Sequence, residues 1–274
     1  MKKKKVPIKA FWYSDIMVTP MSVTIITTVN KDGVVNAAPY SLVLPYNISK
    51  KNPQIIVCVS SHTHTCKNIM ETKEFVINYP TASHLEEVME LCRLYPEGIN
   101  ELEYTKLTPI DSLKVRPPSI MECPQHIECV LSHNLEEDSV HAKLIGDVAA
   151  LVMNEDIVNI DRGKRIEQLN LPLYMGDEKK RYFYYGDVKK NTMLEVGPIP
   201  SRKGGTKVIT RIPWEEGVLA KLEEIPPEVR QIVVETVESV VKKEGEDRVT
   251  HELFLQMLED FAPPDVLEKF KKNM

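Results

Sequence analysis

No apolar run in this chain approaches the roughly 18 residues that cross a bilayer as a helix, and no hydrophobic segment follows its first lysines as a signal peptide would require. A cytoplasmic protein without a membrane span is the expectation. Basic charge is also short: 35 Lys and Arg stand against 40 Asp and Glu, and the net charge of −5 leaves no general cationic surface for nucleic acid. Lys2, Lys3, Lys4 and Lys5 are a local exception. Four charges without an acyl signal or an amphipathic helix hold a membrane only marginally, so they read as a solvated tail.

Cysteine is sparse. Cys58, Cys66, Cys92, Cys123 and Cys129 form no C-x-x-C, and an odd count suits reduced thiols rather than a disulfide framework or an iron–sulfur cluster. His62, His64 and Cys66 alternate, and Cys123, His126 and Cys129 sit three apart, but neither is a standard zinc spacing, so no metal is expected. No G-x-G-x-x-G follows a strand, and there is no P-loop, G-x-S-x-G or H-E-x-x-H. Any redox chemistry has to reside on a bound cofactor, and catalytic side chains stay unassigned. The 274 residues, 42% apolar and 27% charged, are an ordinary globular mix, enough for one large domain or a medium and a small one.

What the chain does have is centred on S-S-H-T-H-T-C-K-N, residues 60–68. The apolar run Q-I-I-V-C-V leads in; a short helix over 65–72 and the run E-F-V-I-N-Y follow. Hydroxyls and backbone N–H groups at a helix N-terminus make a site for a phosphate. Thr65 is the expected N-cap, with Asn68 three residues on reaching the same anion. By itself the loop is equally well a capped turn. Upstream, two apolar runs over 21–29 and 34–44 flank N-K-D-G, a hairpin signal. The second run carries N-A-A-P-Y-S, residues 36–41, whose small residues let a planar ligand approach the backbone.

With T-T-V-N-x-D-G, N-A-A-P-Y-S, T-C-K-N-I-M-E-T and E-F-V-I-N in this order, residues 20–187 resemble the flavin reductase-like (flavoredoxin) family. The resemblance implies a mainly β, α+β fold, an FMN-binding split β-barrel, with NAD(P)H or a redox protein as electron donor and a homodimer with flavin near the subunit interface. It places the FMN phosphate on Ser60, Ser61, His62, His64 and Thr65, with Asn68 supporting the loop. The flavin ring lies along Asn36, Ala37, Ala38 and Ser41, whose backbone N–H groups meet its edge. His141 and Tyr182 stand at positions that can lie beside the flavin. Two departures matter. The family's arginine near the phosphate is missing, so His62 or His64 substitutes, and affinity should weaken as the imidazoles lose their protons. Where the family often supplies a lysine, Asn100-Glu101 stands instead. An oxidase of a phosphorylated pyridoxine-type substrate, on the same barrel, fits these loops less well.

The domain expectation is a barrel over 1–196, a Pro/Gly-rich linker over 197–211 and a small helical domain over 212–274. Helices are predicted over 83–94, capped by Ser83, and over 215–224, 227–243, 251–261 and 265–272. The C-terminal piece resembles the small helical domain of light-independent protochlorophyllide reductase subunits, which implies docking on the barrel or on a partner. His126 and Glu128, two apart on one strand, read as a satisfied surface pair.

Overall fold

The structure is a computed structural model that describes residues 2–8, 11–135, 140–176, 182–184, 208–225 and 227–261. β1 (Met21–Ser22) is short, and T-I-I-T-T-V, all β-branched, then forms β2 (Thr24–Val29), buried along its whole length. Its threonines are buried because each hydroxyl has a partner: Thr24 Oγ1 donates to the Tyr40 carbonyl (2.8 Å) and Thr27 Oγ1 to that of Pro118 (2.5 Å). The hairpin turn is fixed by Asn30, whose Oδ1 accepts from the amides of Asp32 (3.0 Å) and Val34 (2.8 Å), while Gly33 takes the positive φ of 83°.

The second run divides into β3 (Val35–Tyr40) and β4 (Val43–Asn47), where one continuous run was expected. The break moves the chain from one edge of the sheet to the other. β5 (Gln54–Ser60), α1 (His64–Thr72) and β6 (Glu74–Tyr79) follow, then α2 (Leu85–Glu90), β7 (Pro109–Ile110), β8 (Ser119–Ile120), β9 (Gln125–Asn134) and β10 (His141–Met153). Seven strands run β3-β2-β6-β9-β10-β5-β4, antiparallel throughout, with α1 bridging β5 to β6. Ile26, Val57, Phe75, Ile77 and Leu144 fill the interior of this curled sheet. Each such side chain contributes about 1.5–3 kcal/mol relative to exposure. α3 (Glu155–Val158), α4 (Arg162–Leu169), β11 (Leu173–Gly176) and β12 (Tyr182–Tyr184) complete this part, and β11 joins β1 and β12 in a second sheet. The fold is mainly β with helices, as the sequence implied.

Two expected caps are elsewhere. α1 begins one residue early, and Thr63 caps it by accepting from the Cys66 amide (3.2 Å). Ser83 caps nothing: a 3-10 turn over Ala82–His84 precedes a helix of only six residues, and the Ser83 hydroxyl meets Thr81 Oγ1 (2.7 Å). His126 and Glu128 are not on the surface. Both are buried, and Glu128 is spent on the amides of Leu113 (2.8 Å) and Lys114 (2.6 Å).

The chain divides into two units, one of Met1–Ile48 with Asn52–Met193, the other of Ser49–Lys51 with Leu194–Met274. In the second, Pro227 opens α5 (Pro227–Lys243), and Thr250 caps α6 (His251–Phe261) by accepting from the Leu253 amide (3.3 Å). Val234, Val237, Val241 and Phe254 form its core, and the buried Glu238 accepts from Arg211 N (2.8 Å) and Trp214 Nε1 (3.1 Å). The helix expected over 215–224 is a turn at Gly217 (φ 85°) followed by a 3-10 segment, Ala220–Glu224. The Pro/Gly-rich stretch over 197–205 and the helix expected over 265–272 lie outside the described residues.

Candidate functional site

The Ser60–Thr65 loop is built from its own hydrogen bonds. The Ser60 carbonyl accepts from the Thr63 amide (3.1 Å) and from Thr63 Oγ1 (2.8 Å), and Ser61 N donates to the Val140 carbonyl (2.9 Å). The turn leaves the amides of His64 and Thr65 ahead of the helical ladder at the positive end of α1. Beside it opens a cleft of about 660 Å³ lined by Ser61, His62, His64 and Lys67 of the loop and helix, with Glu97 and Asn134 opposite. Hydroxyl, imidazole, ammonium and helix N-terminus together suit a phosphate monoester.

Sequence reasoning missed Lys67. It lies three residues after His64, one turn along the same helix face, and that spacing was the available signal. Its Nζ pairs with Glu97, an exposed contact that raises the Lys67 pKa and lowers that of Glu97. Cys66, which also lines the cleft, is driven the other way from reactivity: burial pushes its thiol up.

Asn36, Thr65 and Asn68 sit beneath the loop and are all buried. Asn36 Nδ2 donates to Thr65 Oγ1 (3.0 Å) and Thr28 Oγ1 (3.3 Å), and Asn68 Nδ2 donates to the same Thr28 Oγ1 (3.1 Å). The two amide nitrogens and the Thr65 hydroxyl thus tie β2, β3 and α1 together under the site. This also explains the cap, since the Thr65 hydroxyl is already engaged by Asn36. Ala37 is fully buried and Ala38 half-buried. The Ala37 N–H, on the outward edge of β3, donates to Glu101 Oε2 (2.9 Å). Pro39 has no N–H, so the next outward amide is that of Ser41. Ser41 lines a separate recess of about 70 Å³ with Tyr40, Tyr174 and Phe183. His141 is exposed at the start of β10, directly opposite Ser60. Tyr182 stands opposite Gly176, and its side chain lies outside the described residues.

Glu101 therefore replaces the expected lysine with a carboxylate that clips the edge of β3. Burial pushes its carboxyl above the usual carboxylate range, outweighing the amides of Ala37 and of Glu101 itself, which lower it. A raised acid holds its proton more tightly folded than unfolded. The stability it contributes is present below the ordinary carboxylate range and is lost as pH rises through its raised value. Glu101→Gln keeps an acceptor for Ala37 without the charge. Its urea midpoint should gain on the wild type as pH rises from acid to neutral, and two parallel pH profiles would refute this account.

The sequence profile described as "Flavin reductase like domain" matches residues 17–181. An uncharacterized protein of Methanothermobacter thermautotrophicus is 36% identical over 180 residues, which cover 62% of this chain and 82% of that one. Nitrilotriacetate monooxygenase component B of Bacillus cereus superposes with a TM-score of 0.59 at 24% identity, over 71% of this chain and 100% of that one. Flavoredoxin of Desulfovibrio vulgaris (Miyazaki F) gives a TM-score of 0.58 at 18% identity, over 72% and 97%.

Proposed function

The chain belongs to the flavin reductase-like family, and from that premise we propose that it is an FMN-binding oxidoreductase. It takes electrons at the flavin, as hydride from NAD(P)H or from a reduced protein donor, and passes them on. The observation that carries this proposal is the cleft at the N-terminus of α1, where Ser61, His62, His64 and Lys67 face one space sized for a ligand. A terminal phosphate fits that donor set, which favours the mononucleotide. FMN, when bound, supplies the hydride-accepting atom, so no side-chain acid or base is required.

The chain's own residues bind and orient. The first-turn amides of α1 and the Ser61 hydroxyl hold the phosphate, and Lys67 neutralises it. The Asn36–Thr28–Asn68 bonds keep β3 at a fixed distance from that helix. Ala38 and Ser41 offer the ring a surface without bulk, and His141 stands at the rim beside Ser60. Tyr182 belongs to the same proposal. So do a cytoplasmic homodimer and a helical tail that binds a partner.

An exposed ion pair is weak because solvent screens it, so a phosphate can displace Glu97 from Lys67. Lys67→Gln should loosen FMN about tenfold, and Glu97→Gln, by removing the competitor, should tighten it about threefold. Riboflavin affinity should move in neither variant. The purified protein should absorb at about 450 nm once loaded, and anaerobic NADH or NADPH should bleach it without a partner. Bleaching by neither nucleotide, with FMN bound, leaves an electron carrier or sensor. A protein that refuses FMN overturns the proposal.

A further inference from the structure

Away from that cleft, the opposite end of β9 and β10 borders a second cavity, of about 570 Å³. Its walls are apolar: Leu113, Ile127, Leu151, Val152, Met153 and Val158. Met153 and His141 are twelve residues apart on β10, about 40 Å of extended chain, so this space is not a continuation of the loop cleft.

Four polar side chains also line it, Tyr79, Gln125, His126 and Arg165, and the last two are unusual. His126 is only 8% exposed, and its Nδ1 has no hydrogen-bond partner. Arg165, on α4, gives Nη2 to the carbonyls of Val158 and Ile160, yet its buried Nε has no partner either. A buried polar atom without a partner costs about 1–3 kcal/mol, so two beside one cavity need an explanation. No Asp or Glu lines the space. The carboxylate nearest in sequence, Glu128, is committed to the amides of Leu113 and Lys114. Among the described residues, no ion pair involves Arg165.

The geometry points to a second ligand site in this cavity, for a small organic anion: a monocarboxylate with an apolar body of medium chain length. The guanidinium Nε–H and the imidazole N–H supply the donors that a carboxylate needs and that an apolar molecule leaves unpaired. Val158, Leu151 and Leu113 supply the wall for the hydrocarbon. The cavity volume falls in the range of pockets that enclose small molecules, about 300–1,000 Å³. A carboxylate at Arg165 would also supply the counter-charge that the protein itself does not place there. Burial lowers the His126 pKa, which keeps the ring neutral and leaves Nδ1 available as a donor in one tautomer.

The test uses the full chain, with and without FMN, titrated calorimetrically with octanoate and, as its uncharged counterpart, octan-1-ol. Octanoate should bind at least tenfold tighter than octanol. Arg165→Met should erase that preference, leaving octanol within twofold of its wild-type affinity. Because Arg165→Met also removes bonds to two carbonyls, a second variant is read beside it. Leu151 is 74% exposed, so Leu151→Asp leaves the fold alone and places a like charge on the rim. It should weaken octanoate at least fivefold. FMN affinity should be unchanged in both, which separates this site from the flavin reading. Equal binding of acid and alcohol, or octanoate affinity unmoved in both variants, overturns the proposal. So does a failure to bind at millimolar concentration. A dimer that Leu151→Asp dissociates and octanoate does not disturb would assign the face to a second copy of the chain, and would overturn it as well.

Discussion

Thr28→Val should destabilise the protein by about 2–4 kcal/mol and loosen FMN at least tenfold, although Thr28 touches neither the cleft nor any expected ligand. The substitution is close to isosteric, so no cavity or clash accompanies it. What it removes is one oxygen. Thr28 Oγ1 accepts from Asn68 Nδ2 at 3.1 Å and from Asn36 Nδ2 at 3.3 Å, and all three residues are buried. Asn36 retains Thr65 Oγ1 at 3.0 Å, whereas among the described residues Asn68 Nδ2 donates to Thr28 alone. Valine puts methyl groups against both amides, and buried donors without acceptors cost about 1–3 kcal/mol apiece.

The effect should reach the loop because these bonds are what hold α1 against β2 and β3. With Asn68 released, the helix that presents its N-terminus to the cleft loses its anchor about one turn before its end. Thr28→Ser restores the oxygen and loses one methyl, so it should recover most of the stability and the flavin affinity. Urea denaturation and a flavin fluorescence titration on the same two variants decide the matter. If valine and serine behave alike, the oxygen is not the hub. If stability falls but FMN affinity holds, the network supports the fold without supporting the site.

The strands and long helices were legible because local chemistry and tertiary placement agree there. β6 begins and ends where E-F-V-I-N-Y does, and α5 and α6 match the predicted bounds, since β-branched runs, Pro227 and the Thr250 cap mark them in sequence. Ser61, His62 and His64 were likewise readable, as a hydroxyl- and imidazole-bearing loop between strand and helix, and the fold gathers them on one cleft. What failed was any inference needing a partner distant in sequence. Glu128 looked like half of a surface pair because alternation reveals a face but not the loop that will cover it, here the amides of Leu113 and Lys114. Thr63 and Thr65 offer the same capping chemistry two residues apart. Only the approach of Asn36, 29 residues upstream, occupies one and leaves the cap to the other. Glu101 was noticed for what it was not, a lysine, and its bond to Ala37 became visible only once a 3-10 turn had brought it to the edge of β3.

Gly146→Val should cost about 3 kcal/mol, for a reason opposite to that at Thr28: nothing is left unpaired, but there is no room. Gly146 sits where the register of β10 against β9 shifts, between Ile145 and Gly146. A Cβ there would stand 2.5 Å from Phe75 Cζ, 2.9 Å from Phe75 Cε1 and 3.1 Å from Cys129 Cβ. Phe75 cannot retreat. It is fully buried in the main core with Ile26 and Leu144, and its ring turns as a rigid plane in a close-packed interior. The glycine is therefore required by the neighbour's size and not by its own backbone, since Gly146 is absent from the positive-φ residues. That distinction can be measured. Phe75→Leu alone should destabilise through the space it opens, by about 1–2 kcal/mol. The double variant Gly146→Val with Phe75→Leu should be more stable than the two single costs predict, by about 1–3 kcal/mol of favourable coupling, because the added methyls occupy the volume the ring gave up. Additive costs would mean that valine is rejected by the strand's conformation or by Cys129, and that the ring is not what enforces glycine at this position.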